Sequence, residues 1–207
     1  MHTTLYLIRN GATEWSREGR VAGRRELGLS TQGRAQGEEL CERLKQCDLT
    51  EILSSPLPRA VETAELMAGP HRLEVARDPR LTDFHVGQWE GLRHAELSQN
   101  EAYRAFLAHP DQTPFPGGER LADVRERMLS SVAQALADNE LGASIAIISH
   151  AGPLRVLIAH YLGMPLASFH RLRVSPSSVS ALRFDSEDGP PRLLSLNCLG
   201  DVRATMI

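Results

Sequence analysis

Three polar residues stand just after short apolar runs, and their types suit one kind of chemistry. Arg9 follows the run at residues 5–8, Arg59 follows residues 51–54 across a Ser-Pro turn, and His150 follows residues 144–148. Two guanidiniums and an imidazole at one point make a compact cluster of positive charge and N–H donors. A phosphate group needs such a cluster, with bidentate contacts to its oxygens and a charge-assisted donor. A helix starting near Gly152 adds backbone amides and the favourable end of its dipole. Singly, each residue is ordinary: an arginine after a strand is usually a surface ion pair, and a histidine there is usually structural. Asn10 is the odd neighbour. Its amide nitrogen is delocalised and has no basic lone pair, so it is a poor nucleophile, acid and base. Beside Gly11 it also reads as a turn residue.

For these residues to meet, the chain must bring several strand ends together. Apolar runs at 5–8, 51–54, 73–76, 144–148, 179–184 and 192–196 read as strands. Between them, 3.6-residue spacing and breakers predict helices over 31–46 (capped by Ser30 or Thr31), 58–67 (opened by Pro58, stopped by Gly69-Pro70), 93–107, 121–138 and 152–162. The segment EDGPP predicts a turn before the last strand. Strands alternating with helices imply an α/β fold, a three-layer α/β/α sandwich around a mostly parallel sheet. In such sheets ligands bind beyond the carboxyl ends of the strands. Residues 78–120 are rich in Pro and Gly and read as a loop and helix excursion over the site, within a single domain spanning 1–207.

Composition narrows the classes. The 207 residues carry a net charge of −3, which offers no global basic field for nucleic acid. Of the 23 Lys and Arg residues only Lys45 is a lysine, a bias that suits planar anion recognition. Cys41, Cys47 and Cys198 have no CxxC spacing, and the histidines form no HxH or HxxxH pair, so neither a disulfide framework nor a metal site is expected. The N-terminus lacks a signal-peptide pattern and no apolar run reaches membrane-span length, so a cytoplasmic setting is expected, with no membrane partner. Trp89, in the excursion, is a candidate pocket wall. Arg20 and Arg24 are candidates to reach an anionic tail, although a solvated loop is the blander reading. The helix after Gly152 and the late strands are a candidate homodimer surface.

The ordered motifs resemble those of the histidine phosphatase superfamily, the phosphoglycerate mutase-like proteins. LIRNGATEW at 7–15 is similar to that family's LIRHGETEW. Gly19-Arg20, LSTQG at 29–33, SSPLPRAVETA at 54–64, LTDFHVGQWEG at 81–91, PGGE at 116–119 and SHAGPLR at 149–155 continue the resemblance over nearly the whole chain. The short chain and the run SHAGPLRVLIAHYLGMPL look most like the alpha-ribazole phosphatase and small cytoplasmic phosphatase branches. The resemblance implies a metal-independent phosphatase without a cofactor, acting on a small phosphorylated metabolite through a phosphohistidine. It places Asn10 at the nucleophile position. It makes Arg9, Arg59, His150 and Ser16 phosphate ligands, Asp83 the acid and base, and Thr13 and Glu119 part of the pocket. Phosphoglycerate mutase-type transfer is the alternative activity, and the short chain argues against it.

This chain departs from the pattern twice, with Asn10 for the histidine and Asp83 for the usual glutamate. Asn10 implies an impaired chain of one of two kinds. One is a deliberate near-isosteric replacement that keeps substrate bound. The other is a natural loss that leaves a phosphate-binding pseudoenzyme. The retained arginines favour the first. Asp83, one methylene short, favours the second.

Overall fold

The computed structural model describes residues 2–186 and 189–202. Six strands form one sheet: β1 (Thr3–Arg9), β2 (Glu51–Ser54), β3 (Val75–Arg77), β4 (Ser144–Ser149), β5 (Val179–Phe184) and β6 (Arg192–Cys198), in the order β3-β2-β4-β1-β5-β6. The first four run parallel, and β5 and β6 are antiparallel at one side. The fold is α/β, with helices on both faces.

Strand alternation builds the three layers. Leu5 and Leu7 of β1 pair with Ile145 and Ile147 of β4 on one face, packed with α6 (Leu121–Asp138) and α7 (Ala151–Tyr161). Tyr6 and Ile8 pair with Ala146 and Ile148 on the other, packed with α2 (Thr31–Leu44) and α3 (Pro58–His71). Because side chains alternate with period two, a one-residue slip would exchange the faces, so the double burial sets the register. That register puts Arg9 beside Ser149 and Ser54 beside Ile148. The polar segments therefore leave the sheet together.

The loop after β1 is pressed against the start of α2. The Cβ of any other residue at Gly33 would run into the Ala12 backbone, and one at Gly11 into the Gly33 carbonyl. Gly11 N–H donates to Thr63 Oγ1, Ala12 N–H to Gln36 Oε1, and Ser30 Oγ to the Ala12 carbonyl. Ser30 also caps α2 at the Gly33 amide.

Several elements differ from the expectations. The helix α3 does not stop at residue 67 but runs through Gly69 and Pro70 to His71. A glycine before the proline removes the Cβ that would clash with its ring, and Arg72 then ends the helix in the left-handed conformation, φ 57°. The single helix expected over 93–107 is two, α4 (His94–Leu97) and α5 (Glu101–Ala108). The Asn100 side chain accepts from the Tyr103 amide and starts a new helix instead of continuing the old one. The third strand lies at Val75–Arg77, starting two residues later and ending one later than expected. A one-turn helix, α1 (Glu14–Arg17), and a 3₁₀ segment, Leu166–Arg171, were not foreseen. The turn EDGPP lies partly outside the described residues.

Trp89 is not a pocket wall. Its ring is buried in an aromatic cluster with Tyr103, Phe106 and Phe115, centroids 5.2–5.6 Å away. The excursion thus has a core of its own. Trp89→Ala should lower unfolding free energy in urea by about 3–5 kcal/mol. It should leave the affinity of the folded protein for inorganic phosphate unchanged within about twofold, since the ring does not line the cleft.

Candidate active site

The ends of β1, β2 and β4 converge. Asn10 N–H donates to the Ser149 carbonyl at 3.0 Å, and Ser55 N–H to the Ile148 carbonyl at 2.9 Å. A cleft of about 270 Å³ opens beyond them, lined by Arg9, Asn10, Thr13, Ser16, Arg20, Arg59, Asp83 and His150. Eight of the eleven residues picked from sequence therefore meet in one place. Arg24, Trp89 and Glu119 do not line the cleft; Arg24 bonds Glu119 and the Asp83 carbonyl.

Arg59 is the hub. Its side chain is 3% exposed. Nη2 donates to Asp83 Oδ2 at 2.9 Å and to the Gly23 carbonyl at 2.7 Å. Nη1 donates to the Arg25 carbonyl at 2.8 Å, and Nε to His150 Nδ1 at 3.2 Å. A guanidinium cannot accept, so His150 Nδ1 carries no proton. The neutral ring then holds its proton on Nε2, which donates to Ser55 Oγ at 2.7 Å. Burial, with Arg59, Arg127 and Arg9 close by, holds His150 well below the usual imidazole range.

Arg9 donates from Nη1 to the Val174 carbonyl at 2.7 Å and bonds no carboxylate among the described residues. Burial, and then the charge of Arg155, lower it to about 10, so it stays cationic at neutral pH. Burial pushes the Asp83 carboxyl up, against the pull of Arg59 and Arg9. Asp83 Oδ1 accepts from the Phe84 amide. The cleft therefore holds more cations than anions, a field for an anionic ligand.

Asn10 is buried, and its Nδ2 donates to the Gly11 carbonyl at 2.7 Å. One amide N–H is thereby spent on the loop and not on a ligand. The amide nitrogen has about the reach of an imidazole Nδ1, and nothing in the side chain reaches where Nε2 would be. Thr13 and Ser16 line the cleft but cap α1 reciprocally, each hydroxyl accepting the other's amide. Arg20 bonds Glu18 and the Gly91 carbonyl.

Two positioning residues escaped the sequence reading. Arg127, on α6, donates to the carbonyls of Arg80, Thr82 and Asp83 and pairs with Glu119 at 3.0 Å. Glu119 also accepts from the His85 amide and Arg24. Together they fix the backbone that carries Asp83. By helical spacing Arg127 looks like one more solvated charge, and no local signal marks it. Ser55 is the other: its place under His150 depends on β2–β4 pairing, which no local signal marks. Among the described residues no group of three or more His, Cys, Asp or Glu could hold a metal ion, and no helix is long and apolar enough to cross a membrane.

The profile of the Histidine phosphatase superfamily (branch 1) matches residues 5–198. The chain belongs to the histidine phosphatase superfamily. It is 35% identical over 190 residues, 90% of this chain and 86% of the relative, to a probable phosphoglycerate mutase, GpmB, of Proteus mirabilis. A mutant phosphoserine phosphatase from Entamoeba histolytica, solved in complex with phosphoserine, superposes with a TM-score of 0.87 at 28% identity, covering 97% of this chain and 99% of that one. A putative alpha-ribazole-5'-P phosphatase from Escherichia coli gives 0.85 at 28%, covering 96% and 97%. Relatives of this histidine phosphatase chain thus include phosphatases and mutases.

The buried, neutral His150 gives a pH signature. Its folded pKa lies below the 6.5 of the free ring, so below about pH 6.5 the unfolded chain binds the extra proton and native stability falls. This stability is present above pH 6.5 and lost as pH falls toward the folded pKa. In urea titrations at pH 7 and pH 5, His150→Gln should lose less stability between the two pH values than the parent.

Proposed function

We propose that this chain is a phosphomonoesterase scaffold for a small phosphorylated metabolite, and that Asn10 leaves it able to bind such a ligand but not to turn it over. The observation that carries this reading is the Arg9–Arg59–His150 cluster closing on Asp83. The relatives described above, named as phosphatases and a mutase, support it.

With histidine at position 10, the chemistry would run in two displacements. The imidazole Nε2 attacks phosphorus in line, and the P–O bond to the alcohol breaks. Arg9 and Arg59 hold the oxygens over which charge spreads. Asp83, raised by burial, gives its proton to the departing alkoxide. The carboxylate so formed takes a proton from water as that water attacks the phosphohistidine, which regenerates the imidazole and releases phosphate. Arg59 is bound to Asp83 before ligand arrives. A phosphate dianion competes for that guanidinium and disfavours the Asp83 carboxylate, so ligand binding itself favours the protonated acid. Asn10 offers no basic nitrogen for the first step.

The reading is tested by hydrolysis of p-nitrophenyl phosphate near pH 6 without added metal. The parent should release no nitrophenol above background, and Asn10→His should turn over. A folded but inactive Asn10→His variant would sink the phosphatase reading and leave a natural phosphate-ligand binder. The shorter Asp83, already tied to Arg59, favours that second reading.

Asp83 can be tested in the Asn10→His background. Asp83→Asn should cut turnover of an alkyl phosphate such as glycerol 1-phosphate by about 10²–10⁴-fold. p-Nitrophenyl phosphate should lose less, because nitrophenolate leaves without a proton. Equal losses on both would remove Asp83 from the acid role. The resemblance to a probable mutase makes transfer the alternative product. Phosphorus NMR of Asn10→His with 3-phosphoglycerate separates release of inorganic phosphate from isomerisation.

A further inference from the structure

Arg155 lines the cleft, and the chemistry above gives it no task. It lies five residues after His150 on α7, roughly 7–8 Å farther along the helix axis at 1.5 Å per residue. Its side chain makes no hydrogen bond and no ion pair with a described residue, and its Nε is shielded from solvent without a partner. Buried donors are nearly always paired, so an unpaired buried Nε–H on a guanidinium that lines a cleft calls for an acceptor from outside the chain. Arg20, which also lines the cleft, is already spent on Glu18 and Gly91.

His94 lines the same cleft, with Nδ1 engaged by the Tyr103 hydroxyl at 3.1 Å. The charge of Arg155 is felt by both His94 and Arg9. The cleft thus has two cationic places. Arg9 and Arg59, beside the neutral His150, form one at the sheet ends. Arg155, with His94 near it, forms the other along α7.

We propose that Arg155 is a specificity-determining residue that binds a second anionic group on the ligand, a carboxylate or a second phosphate a few bonds from the phosphoryl group. The proposal rests on the phosphate-ligand reading above. The planar fork of N–H groups matches either anion bidentately. Discrimination comes from both directions: an acidic tail gains a charge-assisted contact, and a neutral tail leaves the buried Nε–H as unpaired as it is now.

Because Asn10 removes turnover in this reading, affinity can be measured at equilibrium on the chain itself. Titration calorimetry would compare inorganic phosphate, glycerol 1-phosphate, 3-phosphoglycerate and the bisphosphate of propane-1,3-diol. Glycerol 1-phosphate shares the three-carbon skeleton of 3-phosphoglycerate but has an alcohol in place of the carboxylate. The acidic-tailed ligands should bind about tenfold or more tighter than glycerol 1-phosphate. The tighter of those two identifies the second anion. The ratio should fall to near one in Arg155→Met and survive in part in Arg155→Lys, which keeps the charge without the fork.

Equal affinity for neutral and acidic tails in the parent would overturn the proposal, whatever the variants do. So would an unchanged ratio in a folded Arg155→Met. Binding of inorganic phosphate without a tail preference would refute the role of Arg155 alone. Failure of every phosphate ligand to bind would refute the phosphate reading, and the role of Arg155 with it.

Discussion

The site depends on one buried guanidinium. Arg59 comes from the first turn of α3, and it reaches the loop before α2 through Gly23 and Arg25, the excursion through Asp83 and the end of β4 through His150. No two of these segments are neighbours in sequence. A planar cation with five fixed donors can hold all of them at set angles, which a lysine could not. Its charge also sets the protonation of its neighbours: it holds an unprotonated nitrogen on His150 and opposes the burial that raises Asp83. Removing it would leave a carboxylate and an imidazole without the contact that orients them.

Most of the frame was legible because it follows from periodicity. The double burial of β1 and β4 shows as uninterrupted apolar runs, and the polar residues after them mark the strand ends. Arg9, Asn10, Arg59 and His150 could be placed together on that basis, and Thr13, Ser16 and Asp83 through the family resemblance. Local competition was harder to read. Asn100 could cap or continue a helix, and only the hydrogen bond to Tyr103 decides. Gly69 permits what Pro70 alone would forbid. Trp89 has the composition of a pocket wall, and the aromatic partners that bury it come from α5 and from Phe115, outside its own motif. Arg127 and Arg155 sit on helices whose spacing says only that one face is polar. Their meaning is tertiary.

Membership of the histidine phosphatase superfamily gives the architecture, and the departures lie in the chemistry. Both fall on residues that in the proposed function would make or break bonds, whereas Arg9, Arg59 and His150, its phosphate ligands, are all present. Asn10 gives an N–H to the Gly11 carbonyl, and its side chain ends short of the place where an imidazole Nε2 would attack. The loop is thus satisfied with asparagine at position 10.

That loop is fastened by Thr63, Gln36 and Ser30 through the backbone of Gly11 and Ala12, and by the contact of two glycines. Little of this fastening passes through the side chain at position 10. Under the proposed function, an exchange of histidine and asparagine at position 10 would trade reaction for retention while leaving these fastenings in place. Under that reading enzyme and receptor would be adjacent points in sequence space, open to selection in either direction.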